Sequence, residues 1–221
     1  MKRIGILSAA LVAMLTVACG GDTANDTANR ETPSATTPAT PGAAGTAGEE
    51  QNQTQAREFI NEMAITNMAE IQLGNLAEKQ AASPQVKQFA QMMVEDHTKA
   101  NDELKQIASQ LNVQLPTELD EKHRELSEKL SKLQGEEFDR EYMSAMVDGH
   151  EEAINKVEDR ANRANQTTSS AGTESPQATG TAGSNMQGQQ ALNQWATKTL
   201  PTLRKHLQQA EQVNEKVGQN Q

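Results

Sequence analysis

Residues 84–116 read PQVKQFAQMMVEDHTKANDELKQIASQLNVQLP, and this stretch decides the fold. Pro84 is favoured in the first turn of a helix, and Ser83 before it is a predicted N-cap. Apolar residues then recur at three- and four-residue intervals, the period of a helix with one buried face. They are Val86, Ala90, Met93, Ala100, Leu104 and Leu111. The stretch therefore predicts an amphipathic helix that packs against other helices.

His97 lies in the middle of this apolar stripe. At about 100° per residue it projects roughly 40° from Met93 and roughly 20° from Leu104. An unpaired buried polar group costs on the order of 1–3 kcal/mol, so the imidazole needs a polar partner. That partner has to come from elsewhere in the fold, and its identity bears directly on function.

The composition of the 221 residues favours an all-α protein. Aromatic residues make up only 2% of the chain, and the shortage of Val and Ile disfavours a β-sandwich. Strong helix formers such as Ala, Leu, Gln, Glu and Lys are abundant. A net charge of −10 with interspersed basic residues argues against nucleic-acid binding. No phosphate-binding Gly-rich loop or nucleophile elbow is found, so we predict no catalytic residues and an enzyme is the less favoured class.

Residues 1–19 resemble a lipoprotein export signal. Lys2 and Arg3 precede an apolar stretch that is too short to span a bilayer. The segment Leu15–Cys19 has small residues before a cysteine, as in the bacterial lipobox, where the cysteine is diacylated and becomes the mature N-terminus. Cys19 is the only cysteine, so lipid attachment explains an unpaired thiol in an exported protein. The alternative is an ordinary signal peptide with an incidental cysteine.

The signal predicts a location in the cell envelope, with the membrane as a partner through lipidated Cys19. Gly20 rather than Asp directly follows this cysteine, which resembles the pattern that allows passage to the outer membrane. Residues 20–54 have almost no large apolar side chains and predict a disordered tether of roughly 30–35 Å. Residues 165–188 repeat this low-complexity composition and predict an inserted flexible loop.

Apolar periodicity predicts three more long helices and one short crossover helix, which together with the first would fill a domain over residues 55–217. They span residues 55–82, 117–133, 136–164 and 189–217. Thr117 is expected to cap the short helix and Gly135 to end it, while its His123 is expected to face solvent. Pro201 is expected to kink or restart the last helix. Four long helices and a crossover predict a four-helix bundle.

Each long helix carries one polar residue on its apolar face, near its midpoint. The four residues are Glu70, His97, His150 and His206. Because the midpoints of equally long bundle helices share one level, these side chains are expected to converge. They are suitable ligands for a single Zn, Mn, Fe or Cu ion. The alternative is a metal-free polar layer in which Glu70 pairs with histidines and sets the helix register.

Two other metal sites are disfavoured. The di-iron bundle signature is Glu-x-x-His on two helices, but Val94, Val147 and Leu203 stand three residues before the histidines. A ferroxidase is therefore disfavoured. The methionines at helical spacing are read as core residues rather than copper ligands. Asp139 shares the inner face of its helix with His150 but is about 16 Å away along the axis, too far to join the cluster.

Four segments carry a family resemblance: FINEMAITNMAEIQLGNLAEKQAASPQVKQFAQMMVEDHTKANDELKQIA, LPTELD, FDREYMSAMVDGHEEAI and LPTLRKHL. They resemble the bacterial exported family catalogued as domain of unknown function 4142, over roughly residues 55–217. The resemblance implies a ferritin-like bundle and an envelope location, but no established activity. It places family histidines at His97 in EDHTKAN, His150 in DGHEEA and His206 in LRKHL.

Two functional hypotheses follow. The first is an envelope lipoprotein whose bundle binds a metal ion or small ligand. One version of this hypothesis adds a role in envelope stress. The second is a non-catalytic structural or interaction module with a metal-free polar layer. The sequence predicts neither a protein partner nor an oligomeric state.

Overall fold

A computed structural model describes residues 43–170 and 181–219, with side chains for 48–163 and 185–219. Within these ranges the chain forms five helices and no strand, so the all-α prediction is confirmed. The helices are α1 (Ala43–Gln80), α2 (Pro84–Gln110), α3 (Glu121–Ser131), α4 (Gly135–Ser170) and α5 (Thr181–Gln219). None of these described helices has the length and apolar character needed to cross a bilayer. The predicted export signal, including Cys19, lies outside the described residues.

The four long helices form a ring in which α1 packs on α2, α2 on α5, α5 on α4, and α4 on α1. Helices α2 and α5 run in opposite directions, because Asp96 contacts His206 while Glu103, further along α2, contacts Lys198, which comes earlier in α5. Helices joined by short turns are antiparallel, as in the α1–α2 pair. Helix α4 also runs opposite to α1, because Arg163 contacts Gln55 while Lys156, earlier in α4, contacts Glu62, which comes later in α1. Helices α2 and α4 therefore run parallel on one diagonal, so the segment that contains α3 has to cross the length of the bundle.

Two apolar clusters fill the interior, one towards each end of the bundle. One holds Phe59 and Trp195, whose rings meet edge to face at 6.1 Å between centroids. The other holds Phe138 stacked on Tyr142, with ring centroids 5.6 Å apart. Five buried polar residues fall between members of the two clusters along their helices: Asn67, Glu70, His97, His150 and His206. The polar residues therefore form a middle zone with apolar packing on both sides.

Helix α1 begins at Ala43, twelve residues before the predicted start, so the predicted tether over 20–54 is wrong from residue 43 onward. The added turns contain Ala, Glu and Gln, which are good helix formers, and extending an existing helix costs less than nucleating one. Gln189 of α5 also donates a hydrogen bond to the Asn52 carbonyl over 3.3 Å. Residues 1–42 lie outside the described part of the chain.

The start of α2 is stabilised differently from the prediction. Ser83 has the extended backbone of an N-cap, but its side chain makes no capping hydrogen bond. Asp139 of α4 instead accepts hydrogen bonds from the backbone N–H groups of Ala82 and Ser83, at 3.1 and 2.8 Å. A charged acceptor makes stronger hydrogen bonds than a hydroxyl. The role of Asp139 is therefore to hold the α1–α2 turn against α4.

Helix α3 is shorter than predicted, because Asp120 rather than Thr117 caps it by accepting the His123 N–H at 2.9 Å. The His123 ring also contacts the Asp120 carboxylate at 2.6 Å, and its side chain is only 19% exposed. Gly135 does not end this helix. It opens α4 with φ of 65°, in the left-handed region that glycine tolerates.

The predicted loop over 165–188 is helical at both ends, since α4 continues to Ser170 and α5 begins at Thr181. Residues 171–180 between them lie outside the described residues. Gly188 packs so closely on Leu111 that a Cβ at this position would lie 2.6 Å from the leucine Cδ2. Helix α5 continues through Pro201 without a restart. Proline has no backbone N–H and so removes one hydrogen bond of the helix, but the packing of the flanking turns stabilises the helix by more than this loss.

We expect Gly74→Ala to lower the free energy of unfolding by about 1–3 kcal/mol, because it overpacks the contact between α1 and α2. A Cβ on Gly74 would lie 2.7 Å from Val94 Cγ2 and 3.0 Å from the Ala90 carbonyl oxygen. The matched control is Gly48→Ala in the same helix, where no atom lies within 4 Å of the added methyl group. Alanine there should raise stability by up to about 1 kcal/mol. Equal effects of both substitutions in urea denaturation would contradict a tight approach at Gly74.

Candidate metal centre

Three histidines meet in the middle zone of the bundle, one each from α2, α4 and α5. His97, His150 and His206 are 4%, 1% and 1% exposed. One nitrogen of each ring lies within 4.8 Å of a nitrogen of each of the other two. Their ring centroids are 5.4 to 5.7 Å apart. The structure thus brings together three side chains that the sequence had placed on the apolar faces of their helices.

Two of the rings are oriented by neutral acceptors. His150 Nδ1 lies 2.7 Å from the Met146 carbonyl oxygen one turn earlier in α4. Because a carbonyl only accepts, Nδ1 carries the proton and Nε2 carries a free lone pair. His97 Nδ1 lies 2.9 Å from Asn67 Oδ1 on α1, and the amide oxygen selects the same tautomer.

The third ring is oriented by a carboxylate. His206 Nε2 lies 2.9 Å from Asp96 Oδ2 of α2, so Nδ1 is the nitrogen with the free lone pair. In all three rings the second nitrogen is buried and has no hydrogen-bond partner among the described residues: His97 Nε2, His150 Nε2 and His206 Nδ1. Each imidazole is therefore fixed through one nitrogen and has the other available as a ligand.

Burial keeps these imidazoles neutral. It lowers the pKa of His150 to about 4, against the opposing effect of the Met146 carbonyl. Burial, followed by the neighbouring histidines, lowers the pKa of His97 well below its usual range. Burial also lowers the pKa of His206, although the Asp96 carboxylate opposes it. Near neutral pH, a metal ion would not have to displace a proton from any of the rings.

Glu70 is buried on α1 but is not part of this group. Its Oε1 lies 3.5 Å from where a Cβ on Gly149 would stand, and its Oε2 has no partner within the described residues. Burial raises the pKa of Glu70 to about 8, so the carboxyl group is protonated at neutral pH. No Glu70 oxygen belongs to the group of ligand atoms that lie within 4.8 Å of one another, and among the described side chains His97 pairs with Asn67, not with the expected Glu70.

A small cavity of about 30 Å³ adjoins two of the histidines. A cavity of this size has room for about two water molecules. His97 and His206 contribute to its wall, and the rest comes mainly from α1, α2 and α5: Met63, Thr66, Asn67, Asp96, Ala100, Ala153, Trp195, Thr199, Thr202 and Leu203. The cluster of histidines thus has open space on one side.

Sequence reasoning missed the groups that orient the rings. Asn67 lies on the apolar face of α1, three residues before Glu70, and is 5% exposed. The sequence alone could have indicated Asn67, because an amide on the apolar face of a helix also needs a buried hydrogen-bond partner. Asp96 is adjacent to His97 in the chain but contacts His206 instead, and no local pattern indicates that pairing.

The comparisons with known proteins place the chain in a family. No curated protein and no solved structure gives a significant match. A family described as a domain of unknown function matches residues 41–173, a stretch that includes Glu70, His97 and His150. His206 lies beyond the matched residues. Because the match covers more than half of the 221 residues, the chain belongs to the family of domain of unknown function DUF4142.

Proposed function

We propose that this protein is a metal-binding module of the bacterial envelope, with one transition-metal ion held between His97, His150 and His206. The observation that carries the proposal is the set of three buried ring nitrogens without partners, one from each histidine. Three buried nitrogen lone pairs without a hydrogen-bond donor are unfavourable unless a cation or another donor lies beside them. Three imidazoles plus an open position form a common ligand set for catalytic zinc.

The groups behind the histidines support the same proposal. Histidines that bind metals almost always donate their other N–H to a carboxylate, a carbonyl or water, which fixes the tautomer. Here the acceptors are the carboxylate of Asp96, the carbonyl of Met146 and the amide of Asn67. Imidazole ligands suit Zn, Cu and Fe, whereas Mn prefers oxygen ligands. Zn²⁺ or Cu²⁺ fits this all-nitrogen set best.

The helix arrangement supports a ferritin-like four-helix bundle with one long crossover connection. Such bundles join the second and third long helices across the length of the molecule, as the segment containing α3 does here between α2 and α4. The di-iron members of that class use carboxylates from several helices. The donor group in the described residues holds three histidines and no carboxylate, so we propose a mononuclear site.

Equilibrium dialysis of the purified protein against Zn²⁺ tests the proposal. One ion per chain is expected, and its binding should be lost when all three histidines are replaced by alanine. Failure to bind Zn²⁺, Cu²⁺ or Fe²⁺ would overturn it. The protein would then be the second candidate, which is a structural module whose histidines form a metal-free polar layer.

We also propose that Cys19 anchors the protein in the outer membrane. The basic residues, short apolar stretch and small residues before a lone cysteine support this. Cys19→Ser is expected to move the protein out of the membrane fraction of fractionated cells, whereas Thr23→Ser, just beyond the cysteine, should leave it there. A serine variant that stays in the membrane fraction rules out the lipid anchor.

A further inference from the structure

We infer that the cavity beside the histidines binds a small inorganic anion, which completes the coordination of the metal ion. This inference rests on the proposed function and specifies its ligand class. The cavity wall includes His97 and His206, two of the three proposed metal ligands. Three protein ligands leave a fourth coordination position for an exogenous group.

Two residues that line the same cavity carry an unused hydrogen-bond donor. Asn67 and Trp195 are 5% and 4% exposed, and both contribute to the wall. Asn67 Nδ2 and Trp195 Nε1 have no acceptor among the described side chains and backbone. Buried N–H groups almost always find an acceptor. Two such donors beside one cavity therefore indicate a ligand that accepts hydrogen bonds.

The size and polarity of the cavity restrict the ligand. A volume of about 30 Å³ admits roughly two water-sized groups, which suits hydroxide, cyanide or azide and excludes sugars, nucleotides and amino acids. Thr66, Thr199 and Thr202 add hydroxyl groups that can donate to an anion. The Asp96 carboxylate also lines the cavity, but it accepts a hydrogen bond from His206 and its side chain is 39% exposed to solvent.

A titration with azide tests this inference. The protein is loaded with Co²⁺, whose visible absorption reports the number and type of its ligands, and azide is then added. We expect a saturable change in the visible bands. Trp195→Phe removes one donor but keeps an aromatic ring against Phe59, and it should weaken azide binding by about tenfold. Phe59→Leu is the matched control, because Phe59 packs on Trp195 but does not line the cavity.

The outcomes separate the two proposals. If Co²⁺ binds and azide leaves its spectrum unchanged, the cavity is no anion site and the metal proposal stands. Equal azide affinity in Trp195→Phe and the unmodified protein also overturns the inference. If Co²⁺ does not bind, both the proposed function and this inference are wrong. Should Trp195→Phe unfold, Ala100→Met fills the cavity from α2 and is expected to retain Co²⁺ but abolish the azide response.

Discussion

Removing the metal from the zinc-loaded protein is expected to lower its melting temperature by about 8–16 °C. An ion that binds only the folded state, present at a thousand times its Kd, stabilises that state by about 4 kcal/mol. In a domain of this size each kcal/mol shifts the melting temperature by about 2–4 °C. The measurement is thermal unfolding with and without EDTA. No shift on chelation would indicate a metal-free polar layer.

A histidine outside the cluster supplies the control. His150→Ala removes a ligand and should weaken zinc binding more than about 100-fold, since loss of even an outer-shell partner costs 10- to 100-fold. His123→Ala changes a histidine of α3 that is bonded to Asp120 and stands apart from the group, and it should bind zinc normally. Equal losses in both variants would place the ion somewhere else.

The buried histidines also predict the pH dependence of the metal-free protein. The unfolded chain begins to protonate these rings near pH 6.5, whereas in the folded chain His150 takes up a proton only near pH 4. Between these values the unfolded state binds more protons, so stability falls as pH is lowered through this window. Affinity for the metal should fall over the same range, because protons compete for the ligand nitrogens.

Glu70→Gln is expected to raise the free energy of unfolding at pH 7 by about 3 kcal/mol. Burial raises the pKa of Glu70 from 4.5 to about 8, so at pH 7 the folded protein has to bind a proton that the unfolded chain has released. The stability of the unmodified protein therefore falls as pH rises from 4.5 to 8. Glutamine keeps the shape of the side chain without this requirement. Urea denaturation at pH 4 and pH 7 measures the difference, which should vanish at pH 4.

Two controls complete this experiment. Glu78→Gln changes an exposed glutamate on the same helix and should alter stability by less than about 0.5 kcal/mol. Zinc affinity of Glu70→Gln should stay unchanged, because Glu70 is outside the three-histidine group. A large loss of affinity would instead make Glu70 a ligand, as in the four-residue site predicted from the sequence.

Helical periodicity identified the buried face of every long helix. His97, His150 and His206 could be predicted to meet because each lies on an apolar stripe near the middle of its helix. Local capping rules were less successful. They selected Ser83 for the start of α2, but Asp139, 56 residues further along the chain, makes the bonds. A carboxylate from a neighbouring helix is a better acceptor than the local hydroxyl, and only the packing brings it there.

The sequence by itself determined the helical class and the three histidines, because both follow from residue spacing within single helices. The tertiary structure decided which groups the histidines contact. Asn67 rather than Glu70 reaches His97, and Asp96 reaches His206 rather than its own neighbour in the chain. These choices depend on how far each helix is shifted along its neighbour. A shift of one turn, about 5.4 Å, exchanges one partner for another, and no pattern within one helix specifies that shift.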